Sequence, residues 1–169
     1  MINKIEKKVD LRNMTPMDWP EVRAIYEEGI ATGIATFETD IPEWSTWDHE
    51  HLSHSRIVAI VGDRIMGWIA LAPVSGRCAY QGVGEISIYI TAEAKGHGIA
   101  KTLMEAAIAS SEEYGIWTLF AAMTATNLPS IRFHEKIGFR RIGYREKIGK
   151  MDGEWQDIII FERRSPNIF

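Results

Sequence analysis

The sequence predicts an α/β domain: a mixed sheet with helices on both faces. Three observations carry that expectation. Two β-rich runs, Arg56 to Val61 and Arg64 to Ala72, flank the turn dipeptide Gly62-Asp63 and read as an antiparallel hairpin. From Glu85 onward, strand-like and helix-periodic runs alternate, as expected of strand–helix–strand units. The chain has 169 residues, 46% of them hydrophobic and 25% charged, which suits one domain able to bury its own core.

The charged segment 1–8 reads as a fraying tail, followed by a single domain over 9–165 and a short tail over 166–169. An edge strand opens the domain. Thr15-Pro16-Met17-Asp18 has the form of a capping box with proline at the first helical position, and Val22, Ile25, Tyr26 and Ile30 continue as one apolar stripe. The polar, proline-broken stretch 36–42 is a loop, after which Ser45 and Asp48 are placed to cap a second helix. Beyond the hairpin, Ser75-Gly76-Arg77 makes a turn and Glu85 to Ile90 a strand. Gly98 to Tyr114 forms a helix that Gly115 ends, Thr118 to Met123 a strand, and Leu128 to Ile137 a short helix with Pro129 in its first turn and Gly138 at its end. Phe139 to Tyr144 and Gln156 to Glu162 supply two last strands on either side of Met151-Asp152-Gly153.

Composition removes several classes of function. A net charge of −4 gives no reason to expect a nucleic-acid partner, and the aliphatic stretches are too short to cross a bilayer, so no membrane is expected either. The one cysteine, Cys78, cannot form an internal disulfide, and no leader pattern precedes it; a reducing, cytoplasmic location is expected. Cys78 itself reads as a small buried or half-buried residue. His49, His51 and His54 beside Glu50 read as a solvated face, and no metal site is proposed. Trp44 and Trp47 read as packing or dimer-contact residues.

The most informative letters are Lys95-Gly96-His97-Gly98-Ile99-Ala100, with Lys101 following. They put small residues and consecutive amides where an apolar strand passes into a helix, a place suited to a diphosphate. A Walker A loop would need glycines where Lys95 and Ala100 stand, and a dinucleotide fingerprint begun at Gly96 needs a small residue where Lys101 stands, so both are disfavoured. Downstream, Asn127, Ser130 and His134 recur at intervals of three and four within Asn127 to Phe139. Asn127 and His134 therefore lie roughly 10 Å apart along a helix, enough to flank an extended ligand arm.

These two motifs, [RQK]-x-x-G-x-[GA] and N-x-x-[AS]-x-x-x-[YH]-E-K-x-G-F, resemble the paired signatures of the GNAT N-acetyltransferase superfamily. The likeness runs from about Val9 to Arg163 and is nearer to its phosphinothricin and methionine sulfone (sulfoximine) acetyltransferases, on Thr36-Phe37-Glu38-Thr39, Arg77-Cys78-Ala79-Tyr80, Glu85 to Ile90 and Gly153 to Asp157. It implies a twisted, mostly antiparallel sheet of six to seven strands with a splayed central pair. It also implies acetyl-CoA as cosubstrate, with pantetheine beside Ile88, Tyr89 and Ile90, pyrophosphate on Lys95 to Lys101, and the arm near Asn127 and Ser130. Lys95 departs from the usual arginine or glutamine; main-chain amides do most of the gripping, so little change in affinity is expected.

Acetyl transfer to an amine needs a proton acceptor, a polarised carbonyl and a proton for the departing sulfur. Strand alternation puts Glu85, Ser87 and Tyr89 on one side, so Glu85 is the candidate base, provided burial or a relay lifts it from its usual value of about 4.3. Backbone amides around Ile88 to Ile90 are candidates to polarise the carbonyl. By resemblance His134 stands where relatives carry a tyrosine that protonates the thiolate. Arg77 and Tyr80 are candidates to clamp a substrate carboxylate, with Phe37, Glu38, Thr39 and Ser87 closing the pocket. The activity implied is acetylation of the α-amine of a small amino-acid-like acceptor by direct attack in a ternary complex. Protein or peptide acetylation and a non-catalytic CoA sensor are the alternatives, and the resemblance further implies a homodimer.

Overall fold

A computed structural model describes residues 8–169. The tail expected over residues 1–8 lies, apart from Lys8, outside the described residues. Seven strands and four helices follow: β1 Val9–Asn13, α1 Trp19–Ala31, α2 Trp44–Glu50, β2 Ile57–Val61, β3 Arg64–Pro73, β4 Val83–Ile90, α3 Ile99–Glu113, β5 Thr118–Thr124, α4 Leu128–Lys136, β6 Arg140–Met151 and β7 Glu154–Arg164. The strands form one sheet in the order β1-β2-β3-β4-β5-β7-β6. Every neighbouring pair is antiparallel except β4 with β5.

That exception opens the molecule. β4 and β5 are paired only from Val83–Thr118 to Glu85–Phe120, and beyond this the two strands diverge. β4 stays joined to β3 through Ile90, and β5 to β7 through Thr124, so neither strand frays. The β5-facing main chain of β4 after Glu85 is thereby released from strand pairing.

Helices cover both faces because β3 alternates. Ile65, Trp68 and Ala70 face α1 and α2 in a core with Val22, Ile25, Trp47 and Val58; Met66, Ile69 and Leu71 face α3 in the other, with Leu103, Met104 and Ala107. A bulge between the β2 pairs Ala59–Gly67 and Ile60–Ile65 accommodates the extra residue in β3. Each fully buried Leu or Ile here, such as Leu71 or Leu103, contributes roughly 1.5–3 kcal/mol. Trp19, Trp47 and Trp68 fill the first core, with ring centroids 5.4 Å and 5.7 Å apart for Trp19–Trp47 and Trp47–Trp68. Packing is therefore the role of Trp47.

Several local expectations shift. The Thr15 box precedes a 3-10 turn, Pro16–Asp18, and the α-helix proper starts at Trp19. Asp18 accepts the Thr15 amide at 2.7 Å and two bonds from Arg12, each 2.7 Å, which hold its carboxyl down at about 2. α2 begins at Trp44 with Glu43 as its cap, so Ser45 is inside the helix and Asp48 pairs instead with Arg56. Cys78 is exposed on the 3-10 turn Cys78–Tyr80, not buried. His51 and His54 leave the solvated face: His51 stacks on Trp47 at 4.1 Å and His54 on Tyr114 at 4.2 Å. β6 and β7 run all the way to their turn as a mostly exposed arm, interrupted by a bulge where Lys147 has φ 48° and Asp157 accepts its amide at 2.7 Å.

Candidate active site

Two cavities meet at the opened strands. One, of about 310 Å³, lies in the gap between β4 and β5 and is lined by Ile86, Ile88, Ala121, Met123, Thr124, Asn127, Ser130 and His134 among others. The second, of about 440 Å³, lies toward α1 and α2 and includes Tyr26, Asp40, Trp47, Glu50 and His51. Thr36, Glu38, Glu85, Ser87 and Tyr89 line both, so the stripe predicted from strand alternation is the wall the two cavities share.

Glu85 is half-buried, and burial pushes its carboxyl above the ordinary glutamate range. Tyr89 is held on three sides: its ring stacks on Trp68 at 5.0 Å, tilts against Tyr26 at 4.8 Å, and occupies space that only a glycine at position 29 leaves open. Burial raises the phenols of both Tyr26 and Tyr89, which stay neutral and close to the Thr36 hydroxyl.

His134 is buried, at 3% exposure, on the inner face of α4. Its Nδ1 lies 2.8 Å from the Ser130 carbonyl oxygen. A carbonyl only accepts, so Nδ1 carries the proton and Nε2 is the acceptor. Burial lowers the histidine's pKa and the Ser130 bond offsets this only in part, leaving a neutral ring. Asn127 caps α4 through its Oδ1, which accepts the Ser130 amide at 3.3 Å.

The glycine loop directly follows β4. Gly96 and Gly98 both have φ 82°, where any other residue would be strained, and a Cβ built on either meets no atom within 4 Å. The first bond of α3 runs from the Thr102 amide to the Gly98 carbonyl at 3.1 Å. The amides of Ile99, Ala100 and Lys101 precede it and have no intrahelical acceptor, so they offer a diphosphate donors at a positive dipole end. The open glycines, these amides and a polar-edged cavity between the strands together fit a phosphorylated thioester with an extended arm.

Other predicted positions stand apart. Residues 95–101 line neither cavity, which their place beyond the end of β4 explains, and Ile90 is turned into the α3 core beside Gly67. Thr39 is exposed at the rim and lines neither. Arg77 and Tyr80 are exposed on the loop before β4 and reach neither cavity, so within this chain they form no carboxylate clamp. Instead the second cavity is lined by Glu38, Asp40, Glu50 and Glu85 with no lysine or arginine; its histidine, His51, is pushed toward neutrality by burial. Sequence reasoning missed Tyr26, Asp40, Glu50, His51 and Thr124. Only tertiary placement joins them to Glu85, although the apolar stripe of α1 did mark Tyr26 as inward-facing.

Comparison with known proteins agrees with this geometry. Residues 16–139 match the model of the acetyltransferase (GNAT) family. YwnH of Bacillus subtilis strain 168, whose provisional name is phosphinothricin acetyltransferase, is 33% identical over 159 residues, covering 90% of this chain and 97% of its own. The L-methionine sulfoximine/L-methionine sulfone acetyltransferase of Pseudomonas aeruginosa PAO1 is 22% identical over 90% of this chain and 92% of its own. Among solved structures, an N-acetyltransferase from Staphylococcus aureus Mu50 superposes with a TM-score of 0.81 at 26% identity, over 93% of this chain and 98% of that one. A mixed seven-stranded sheet opened between its parallel strands, a helix-opening glycine loop and a family match across most of the chain have one meaning: the chain belongs to the GNAT acetyltransferase family and is an acyltransferase.

Proposed function

We propose that this protein transfers an acetyl group from acetyl-CoA to the α-amine of a small amino-acid-like acceptor of the phosphinothricin, methionine sulfone or methionine sulfoximine type. The carrying observation is Glu85, a half-buried carboxylate in the wall between two cavities, one suited to a thioester arm and the other to an amine. Acetyl-CoA, when bound, supplies the thioester acetyl group. The loop Lys95 to Lys101 would hold its phosphates through main-chain amides; Ile88, Tyr89, Asn127 and Ser130, which line the first cavity, would orient its arm.

Glu85 accepts a proton from the incoming ammonium, and its raised pKa brings it closer to that task than an exposed glutamate. The released β4 amides are the donors for the acetyl oxygen. His134, with Nε2 unprotonated, must first receive a proton there before it can pass one to the departing sulfur, so it works as a relay rather than a standing acid. Transfer is direct: Cys78, the chain's one thiol, is exposed and outside both cavities. The homodimer implied by resemblance and the cytoplasmic location expected from the single cysteine belong to the same proposal.

One observation favours a second reading, an acceptor without a carboxylate such as a peptide N-terminus or simple amine: the acidic, cation-free lining of the second cavity. A thiol-detection assay across methionine sulfone, methionine sulfoximine, phosphinothricin, free amino acids, their amides and short peptides decides. CoA release with free amino-acid analogues is the expected outcome. Turnover confined to the amides and peptides would establish the second reading, and binding without any turnover would leave a CoA-sensing domain.

A further inference from the structure

Residues 32–40 link α1 to the α2 region and supply Thr36 and Glu38 to the shared wall, yet they hold no regular structure. Among the described residues, no backbone–backbone bond ties residues 34–42 to the remainder of the fold. Local bonds do not fix the segment in space, since the Ile34 and Glu38 amides only reach the hydroxyls of Thr32 and Thr36 two residues back.

What does cross to another element is a pair of side-chain bonds to one carbonyl. Thr124, the last residue of β5, donates its hydroxyl to the Ile34 oxygen at 2.7 Å, and Asn127 Nδ2 donates to the same oxygen at 3.3 Å. Thr124 is 3% exposed and lines the first cavity, and its hydroxyl is aligned by a bond from Thr126 at 3.3 Å. Further along, the Thr36 hydroxyl lies close to the Tyr26 and Tyr89 phenols, and Phe37 rests against Gly149 of β6. The segment is thus a strap across the diverging strands, tied to β5 by a short bond from the buried Thr124 side chain.

We infer that Thr124 is a positioning residue of the acceptor site, holding the strap at Ile34 so that Thr36 and Glu38 stand opposite Glu85. The kinetic form of this inference rests on the proposed acetyl transfer; its conformational form does not. Through Asn127, the same Ile34 carbonyl is joined to the helix that carries Ser130 and His134, so the acceptor wall and the cofactor wall share one hinge point.

Thr124→Val keeps shape and removes the donor, while Thr124→Ser keeps the donor. In Thr124→Val the two bonded amides of the strap, those of Ile34 and Glu38, exchange hydrogen about five-fold faster than in the parent, and the KM for the acceptor rises by a similar factor while that for acetyl-CoA stays within about two-fold. Thr124→Ser behaves as the parent in both. Unchanged exchange in Thr124→Val, or equal impairment in Thr124→Ser, overturns the inference. If Thr124→Val does not fold, Thr124→Ala carries the same exchange measurement. Because exchange needs no turnover, a parent protein inactive toward every acceptor would discard the proposed reaction and leave this test intact.

Discussion

At the scale of single residues, the burial of Glu85 has a cost as well as a use. A carboxyl whose pKa is raised in the folded state binds a proton there that the unfolded chain has already released, so stability falls as pH rises from the ordinary glutamate value through the raised one. Below both values the penalty vanishes. Glu85→Gln should therefore raise the melting temperature near pH 7 with a gain that shrinks toward pH 4, while kcat drops by about a hundredfold or more. Melting curves across pH and steady-state kinetics check the two halves; a pH-independent gain would disconnect the effect from ionisation. Glu85, Ser87, Asn127, Ser130 and His134 were legible in the sequence because each sits at a fixed spacing on one element. Arg77 and Tyr80 were misplaced, and Thr124 and His51 overlooked, for one reason: what they face is decided by contacts between distant segments.

Elements show how packing overrides propensity. Gly29 lies inside α1, where alanine would ordinarily gain about 1 kcal/mol. A Cβ there would sit 2.5 Å from Tyr89 Cδ1 and 2.7 Å from Cε1, and the ring has Trp68 and Tyr26 behind it. Overpacking of this kind costs about 1–3 kcal/mol, so Gly29→Ala should lower the melting temperature and also reduce kcat/KM by displacing the shared wall. A melting temperature above the parent's would mean that Tyr89 yields freely. Existence and order of the elements were readable from periodicity, from Gly115 and Gly138 as stops and from Gly62-Asp63 as a turn. The outer halves of β6 and β7 were not readable, since an arm exposed on both faces carries no alternation and its bulge at Lys147 breaks what remains.

For the whole molecule, the decisive quantity is the separation of β4 from β5 after three paired residues. A ligand seated in that gap binds the folded chain alone, so acetyl-CoA at about a hundred times its Kd should stabilise by about 2.7 kcal/mol, a rise of about 5–10 °C in melting temperature. Gly98→Ala, strained at φ 82°, should diminish the rise at equal ligand concentration. Scanning fluorimetry with and without acetyl-CoA reads both, and a rise untouched by Gly98→Ala would remove the loop from the binding site. The splay itself was expected only through family resemblance, because no local pattern distinguishes a strand that pairs along its length from one that pairs at its start.

The position of β7 between β5 and β6 has a consequence for synthesis on the ribosome. The strand that flanks one wall of the gap is translated after both of its neighbours, so β5 waits without its second partner while β6 is already made. A nascent chain halted before Glu154 can complete the hairpin of β2 and β3, while β5 still lacks the partner along which it runs as it leaves β4.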